Sequence, residues 1–338
     1  MIHPIVSISA RIAIVVASCL TISCTTPRDS VTQQPGTSPA ARLVTTGPGV
    51  RLEVLDWGGR GVPLVFLAGS GNSAHVFDEF APQFADSFHV IGITRRGYGA
   101  SAEAPPPTDL DTLVADIATV LDSLGVRRGI LVGHSIAGEE LTRFAELYPD
   151  RCAGLIYLDA AYDRSMLDTL ASQQPSQPLP RITPADTANL TSIEALYARI
   201  EGVREPRSEI RATARFDAND RYLGQVTADS LKARLASSGR TARYDRVRCP
   251  ALGIFAVADS LADVVPYYAE LNAQERAQGE KLLRFVRAVV TDGHNRFARF
   301  SQNEAVDIHG GNHFIFLQRP REVAAIIRRY LGERSRRR

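Results

Sequence analysis

From Arg51 onward, short apolar runs alternate with longer segments whose apolar residues recur every three or four positions. The runs are Leu52–Leu55, Pro63–Leu67, His89–Ile93, Gly129–Val132, Gly154–Leu158, Ala251–Phe255 and Glu304–Ile308. Strands that alternate with helices imply a mainly parallel sheet. Between the third and fourth runs, Leu110, Leu113, Val114, Ile117, Val120, Leu121 and Leu124 form a helical stripe that would cover one face of that sheet. Gly125 stands where a left-handed cap would end it. Val323, Ile326, Ile327, Tyr330 and Leu331 repeat the stripe after Pro320 and predict a closing helix, and the connection from 265 to 300 is expected to be helical from Tyr267 to Val290. Between 164 and 246 the rhythm breaks. No convincing strand is seen, and Pro175, Pro178, Pro180 and Pro184 precede charged helical segments, so an inserted helical unit is expected there.

The first residues follow a different logic. Ile12 to Cys24 is an apolar run shorter than the ~20 residues that cross a bilayer, which predicts a secretory signal at 1–24. Its small-residue-then-cysteine pattern resembles a bacterial lipoprotein signal, with Cys24 or Cys19 as the lipid carrier and membrane attachment through it, or with ordinary cleavage removing both. Residues 25–48, rich in Thr, Ser, Pro and Gln, hold too little apolar surface to offset the entropy of ordering and are expected to be a flexible linker. This places the folded part, 49–163 and 247–335 around the 164–246 insertion, in the cell envelope or outside.

The 338 residues carry a net charge of +2, which offers no long-range field for a phosphate backbone, so no nucleic-acid partner is expected. Four cysteines are too few for a disulfide scaffold, and no Cys-x-x-Cys or Cys/His cluster suggests a metal; no cofactor is expected. Cys152 and Cys249 precede two apolar runs at nearly matching offsets. Neighbouring strands lie ~4.8 Å apart, so a disulfide between them is compatible with an oxidising location.

The chemistry centres on Gly133-His-Ser135-Ile-Ala137-Gly138, which follows the run Gly129–Val132 and opens the helical pattern Glu139–Leu147. A serine at the apex of a strand–turn–helix needs small neighbours two residues away on each side, which Gly133 and Ala137 supply. The turn also aims backbone N–H groups at a reacting oxygen. With this context the chain resembles the α/β-hydrolase superfamily from about residue 49 to 333, although Ala137 departs from the Gly-x-Ser-x-Gly pattern. The resemblance implies an α/β fold in which 164–246 is a helical cap. Leu67-Ala-Gly-Ser-Gly-Asn72 resembles the superfamily's oxyanion loop, with Ala68 in place of its usual His, so the backbone N–H groups of Ser70 and Ile136 are the expected oxyanion hole. Thr94-Arg-Arg-Gly-Tyr-Gly-Ala-Ser101 resembles a further turn of the same fold, expected to be structural.

A serine hydroxyl needs a base and the base an orienting carboxylate. Of the seven histidines, His313, in the Gly-rich loop after the last strand, stands where the superfamily keeps its base. For the acid, Asp259 aligns by its distance from the end of the penultimate strand and is the preferred residue; Asp263 one turn later and Asp159 after Leu158 are competitors. The expected activity is hydrolysis of a small carboxylic ester, with a small-molecule acyl compound as substrate. An aminopeptidase of the proline-iminopeptidase type, a lactonase or acyltransferase, and an inert binding scaffold are the alternatives, and an acidic pair in the cap would favour the peptidase. Epoxide hydrolase and haloalkane dehalogenase chemistry is disfavoured, because the resemblance implies Asp where Ser135 stands.

Overall fold

The computed structural model describes residues 38–101, 107–163, 175–236 and 241–335. All seven predicted runs form strands, and three further strands accompany them. In chain order these are β1 Ala40–Gly47, β2 Val50–Gly58, β3 Pro63–Leu67, β4 His89–Ile93, β5 Gly129–His134, β6 Cys152–Leu158, β7 Ala214–Phe216, β8 Tyr222–Gln225, β9 Ala251–Val257 and β10 Asn303–His309. Eight of them make one sheet in the order β1-β2-β4-β3-β5-β6-β9-β10, parallel except where β2 pairs antiparallel with β1 and β4. The period-2 alternation of the central strands divides the core into two layers. Val65, Leu67 and Leu131 face one cluster, and Leu64, Phe66, Ile130 and Val132 face the other.

Helix α1 spans Leu110–Ser123, starts at Asp109, whose side chain accepts from Thr112 N, and ends at Gly125 with φ 67°. Its predicted stripe is buried except for Leu124, which packs partly exposed against the same layer. α2 Ala137–Leu147 follows β5 directly. α3 Leu190–Glu201, α4 Arg207–Thr213 and α5 Asp229–Ala236 belong to the insertion. α6 Leu261–Val264 follows β9, α7 Ala273–Ala298 is the long helix before β10, and α8 Ile315–Gln318 and α9 Pro320–Ser335 close the chain. No described helix is long and apolar enough to cross a membrane.

Two expectations are corrected. β1 lies within the segment expected to be a flexible linker, 25–48; it is an edge strand held to β2 by backbone pairing from Ala40 to Gly47, with Val44 its one buried side chain, so its sequence lacks the apolar content that marks the other strands. The insertion is not purely helical, because β7 and β8 pair as a short antiparallel ribbon. Within it Tyr197 and Tyr222 are buried in the core, Phe216 packs partly buried beside them, and Arg204, Arg207, Arg211 and Arg215 are exposed. Residues 1–24, with Cys19 and Cys24, lie outside the described residues.

Cys152 and Cys249 are joined in a disulfide with Cα atoms 6.1 Å apart. The register explains it: β6 and β9 are neighbours, with Leu155 opposite Ala251, so both cysteines stand at the same end of the sheet. The bond closes a loop of 97 residues that contains the insertion. A loop of that length corresponds to about 5 kcal/mol in the chain-entropy account.

Candidate active site

Ser135 sits between β5 and α2 with φ 55°, a left-handed conformation that few non-glycine residues hold. Its backbone N–H donates to Leu158 O at 3.3 Å, which ties the turn to the end of β6. The departure at Ala137 has a steric reason. A Cβ added at Gly133 would lie 2.6 Å from Leu141 Cδ1 and 3.1 Å from the Ala137 Cβ, so the strand side of the serine is the more crowded one and favours glycine, while the helix side has room for a methyl group.

The loop after β10 carries His313 back over this turn. His313 Nδ1 lies 2.7 Å from Asp159 Oδ2, and both side chains are largely buried. The other carboxylate oxygen, Asp159 Oδ1, accepts from Ala256 N at 3.0 Å and from the Tyr162 hydroxyl. A carboxylate at Nδ1 assigns the ring proton there and leaves Nε2 as the basic nitrogen; among the described residues Nε2 is buried without a partner. His134 reinforces the loop: its Nε2 is 2.9 Å from the His313 carbonyl, to which it can only donate, and its ring packs against the His313 ring at 4.6 Å. Burial, together with the charge of His313, holds His134 well below the usual histidine range, so it stays neutral.

Asp259, the preferred acid, does not reach His313. It pairs with His309 Nδ1 at 3.1 Å, and both side chains are more than half exposed. β9 and β10 run in register to Val257 and His309, so Asp259, two residues beyond the strand end, meets the last residue of β10 on the rim instead of the loop beyond it. Asp263 Oδ2 accepts from Asp259 N, Ser260 N and Ser260 Oγ and serves the start of α6. The competitor Asp159 holds the position because His134 is opposite Leu158 in the β5–β6 pair, so Ser135 and Asp159 leave adjacent strands side by side. Asp159 also has a positive φ of 46°, and its N–H donates to Ile254 O at 2.8 Å. Tyr162 was not a sequence candidate; an aromatic residue in a loop carries no signal of its own.

The loop after β3 passes close to the serine. A Cβ added at Gly69 would lie 3.1 Å from Ser135 Cβ and 2.8 Å from His134 Nδ1, so only glycine allows the approach. Ser70 follows it, and Ile136 precedes the first residue of α2. The same loop docks the insertion: Asn72 Nδ2 donates to Glu205 Oε1 at 2.9 Å and Glu209 Oε1 at 3.0 Å, and the Ser73 hydroxyl donates to Glu209 Oε2 at 2.5 Å. Ser208 Oγ donates to Asp78 Oδ2, which also holds His75 Nδ1 at 2.8 Å. Burial alone would lower the His75 pKa, but hydrogen bonds and charge from Asp78 and Glu53 outweigh it and raise it to about 10. An unfolded histidine titrates near ~6.5. The stabilisation from His75 is therefore complete below about 6.5, shrinks through alkaline pH and is gone above about 10. The unfolding midpoint is expected to fall between pH 7 and 10, and in His75→Gln that slope is expected to flatten; an unchanged slope in the variant would contradict the assignment. Among the described residues no three His, Cys, Asp or Glu side chains converge as metal ligands.

Comparison with known proteins agrees with this architecture. Curated relatives include a non-heme chloroperoxidase of Streptomyces lividans, 36% identical over 120 residues that make up 35% of this chain and 44% of the relative. Epoxide hydrolase A of Mycobacterium tuberculosis is 37% identical over 36% of this chain and 38% of its own length. A bifunctional esterase/perhydrolase of Acinetobacter calcoaceticus is 33% identical over 37% and 46%. The chain thus spans less than half the length of these relatives. Among solved structures, E-2-(acetamidomethylene)succinate hydrolase superposes with a TM-score of 0.62 at 18% identity, over 87% of this chain and 99% of that one. A thermophilic esterase from Thermogutta terrifontis superposes with a TM-score of 0.54 at 20% identity, over 87% and 98%. These two likenesses concern the fold. The family model for the alpha/beta hydrolase fold matches residues 62–320, most of the chain, and the protein belongs to that family.

Proposed function

We propose that the protein is a serine hydrolase that cleaves a small carboxylic ester through Ser135, His313 and Asp159. The observation that carries this reading is the 2.7 Å bond between His313 Nδ1 and Asp159 Oδ2 beside a serine held at φ 55°. In the proposed cycle His313 Nε2 takes the Ser135 hydroxyl proton as Oγ attacks the acyl carbonyl. The resulting oxyanion accepts hydrogen bonds from the N–H groups of Ser70 and Ile136. Collapse expels the alcohol, protonated by His313, and water activated by the same nitrogen hydrolyses the acyl-serine. Asp159 keeps the ring proton on Nδ1 throughout. A location in the envelope or beyond is part of the proposal; the Cys152–Cys249 bond supports it, because such bonds persist in oxidising compartments.

A second reading, an aminopeptidase, draws support from one feature: Glu205 and Glu209 are a buried acidic pair in the insertion, facing the loop after β3. Their bonds to Asn72 and Ser73 give them a docking role in any case, and the ester reading is preferred. The test is a p-nitrophenyl ester series of increasing acyl length run beside amino-acyl p-nitroanilides. Turnover of short esters without turnover of anilides is expected. Faster anilide cleavage would favour the peptidase, and no turnover of either would favour an inert scaffold.

A further inference from the structure

The Arg95–Glu140 pair is buried between the oxyanion loop and the helix that follows the serine. Arg95 Nε donates to Glu140 Oε1 at 2.6 Å, and the two side chains are 6% and 4% exposed. The remaining guanidinium nitrogens turn to the loop: Nη2 donates to Ala68 O at 2.9 Å and Nη1 to Gly69 O at 3.3 Å. Removing two charges from water is costly, and well-packed apolar replacements of such pairs are often no less stable, so fold stability alone gives little reason for this one. Its hydrogen bonds supply another. The Gly69 carbonyl and the Ser70 N–H belong to one planar trans peptide and point in opposite directions. A guanidinium that holds the carbonyl therefore turns the N–H away from itself. The same loop lies against the nucleophile, since a Cβ added at Gly69 would stand 3.1 Å from Ser135 Cβ. Glu140 lies in the first turn of α2, whose N-terminus carries Ile136.

We propose that Arg95 is a positioning residue that sets the oxyanion hole: through two carbonyls it orients the Ser70 N–H, and through Glu140 it holds that donor in register with the Ile136 N–H on α2. The proposal rests on the serine-hydrolase reading given above. Arginine suits the task because its planar fork serves a carboxylate and two carbonyls at once, whereas a lysine ammonium acts as a single point. The neighbouring pair provides a control. Arg96 donates to Asp116 at 2.6 and 2.7 Å and is equally buried, but its remaining bond goes to Pro107 O, away from the oxyanion loop.

The test compares the full chain with R95M/E140M, R95K and the control R96M/D116M, measuring the second-order rate of fluorophosphonate labelling, kcat and KM on an ester, and thermal unfolding. R95M/E140M is expected to fold and to lose on the order of 10²-fold in labelling rate and kcat, the scale of one lost oxyanion donor, with KM within about threefold. The control is expected to keep the wild-type rates. Wild-type labelling in R95M/E140M, or an equal loss in the control, would overturn the proposal. If R95M/E140M does not fold, R95K decides: it keeps a charge opposite Glu140 but loses the fork, so a wild-type rate there overturns the proposal and a loss of the same order supports it. A wild-type protein that neither labels nor turns over esters would instead defeat the underlying serine-hydrolase reading, and the proposal with it.

Discussion

Ser135→Ala is expected to lower kcat about 10⁶-fold on any ester the protein hydrolyses, with the unfolding midpoint almost unchanged. Without Oγ no acyl-enzyme forms, and what remains is the electrostatic help of the oxyanion donors. The fold should tolerate the change, because the serine's conformation at φ 55° is imposed by β5, α2 and the bond from its N–H to Leu158 O, none of which uses the hydroxyl. Steady-state kinetics beside a melting curve check both halves. Activity within about tenfold of wild type would remove Ser135 from the chemistry.

Asp159→Asn is expected to lower kcat about 10⁴-fold, whereas Asp259→Asn should leave it within about twofold. The asymmetry follows from who donates to each carboxylate. Ala256 N–H and the Tyr162 hydroxyl both donate to Asp159 Oδ1. An asparagine would keep its carbonyl oxygen there and turn its NH₂ toward His313 Nδ1. That nitrogen would then have to accept, the ring proton would move to Nε2, and Nε2 could no longer take a proton from Ser135. Asp259 pairs with the exposed His309, where a neutral amide changes little. Loss of activity in Asp259→Asn with retention in Asp159→Asn would reverse the assignment. Because both replacements are nearly isosteric, kcat for the two variants at one pH suffices to distinguish them.

The parts of the site that depend on contiguous residues were legible from the chain, and those that depend on strand neighbours were not. Gly129–Val132 followed by Gly133-His-Ser135 announces a strand and a tight turn because strand, apex and helix are consecutive. The His313 loop likewise lies between a recognisable strand and a recognisable helix. The acid is a different kind of question. Choosing between Asp159 and Asp259 requires knowing that β6 lies between β5 and β9 and that Leu158 is level with both His134 and Ile254. Sequence spacing from the end of β9 pointed to Asp259; the register puts His309 level with Val257, so Asp259, two residues on, meets His309 instead of His313. β1 escaped notice because an edge strand can be held by backbone pairing with little apolar content. Arg95 and Tyr162 act through bonds to residues 26 and 3 positions away, made with backbone carbonyls in one case and a loop carboxylate in the other, which no periodicity encodes. The cysteine pair was visible because matching offsets before two parallel strands survive without knowledge of the loop between them.

The role of Ser135 as nucleophile is tested most directly by a peptide map of the protein after reaction with a fluorophosphonate. One adduct is expected, on Ser135, formed rapidly in the wild type and in Asp259→Asn and slowly in Asp159→Asn. An adduct on another residue, or a folded protein that takes up no label, would contradict it.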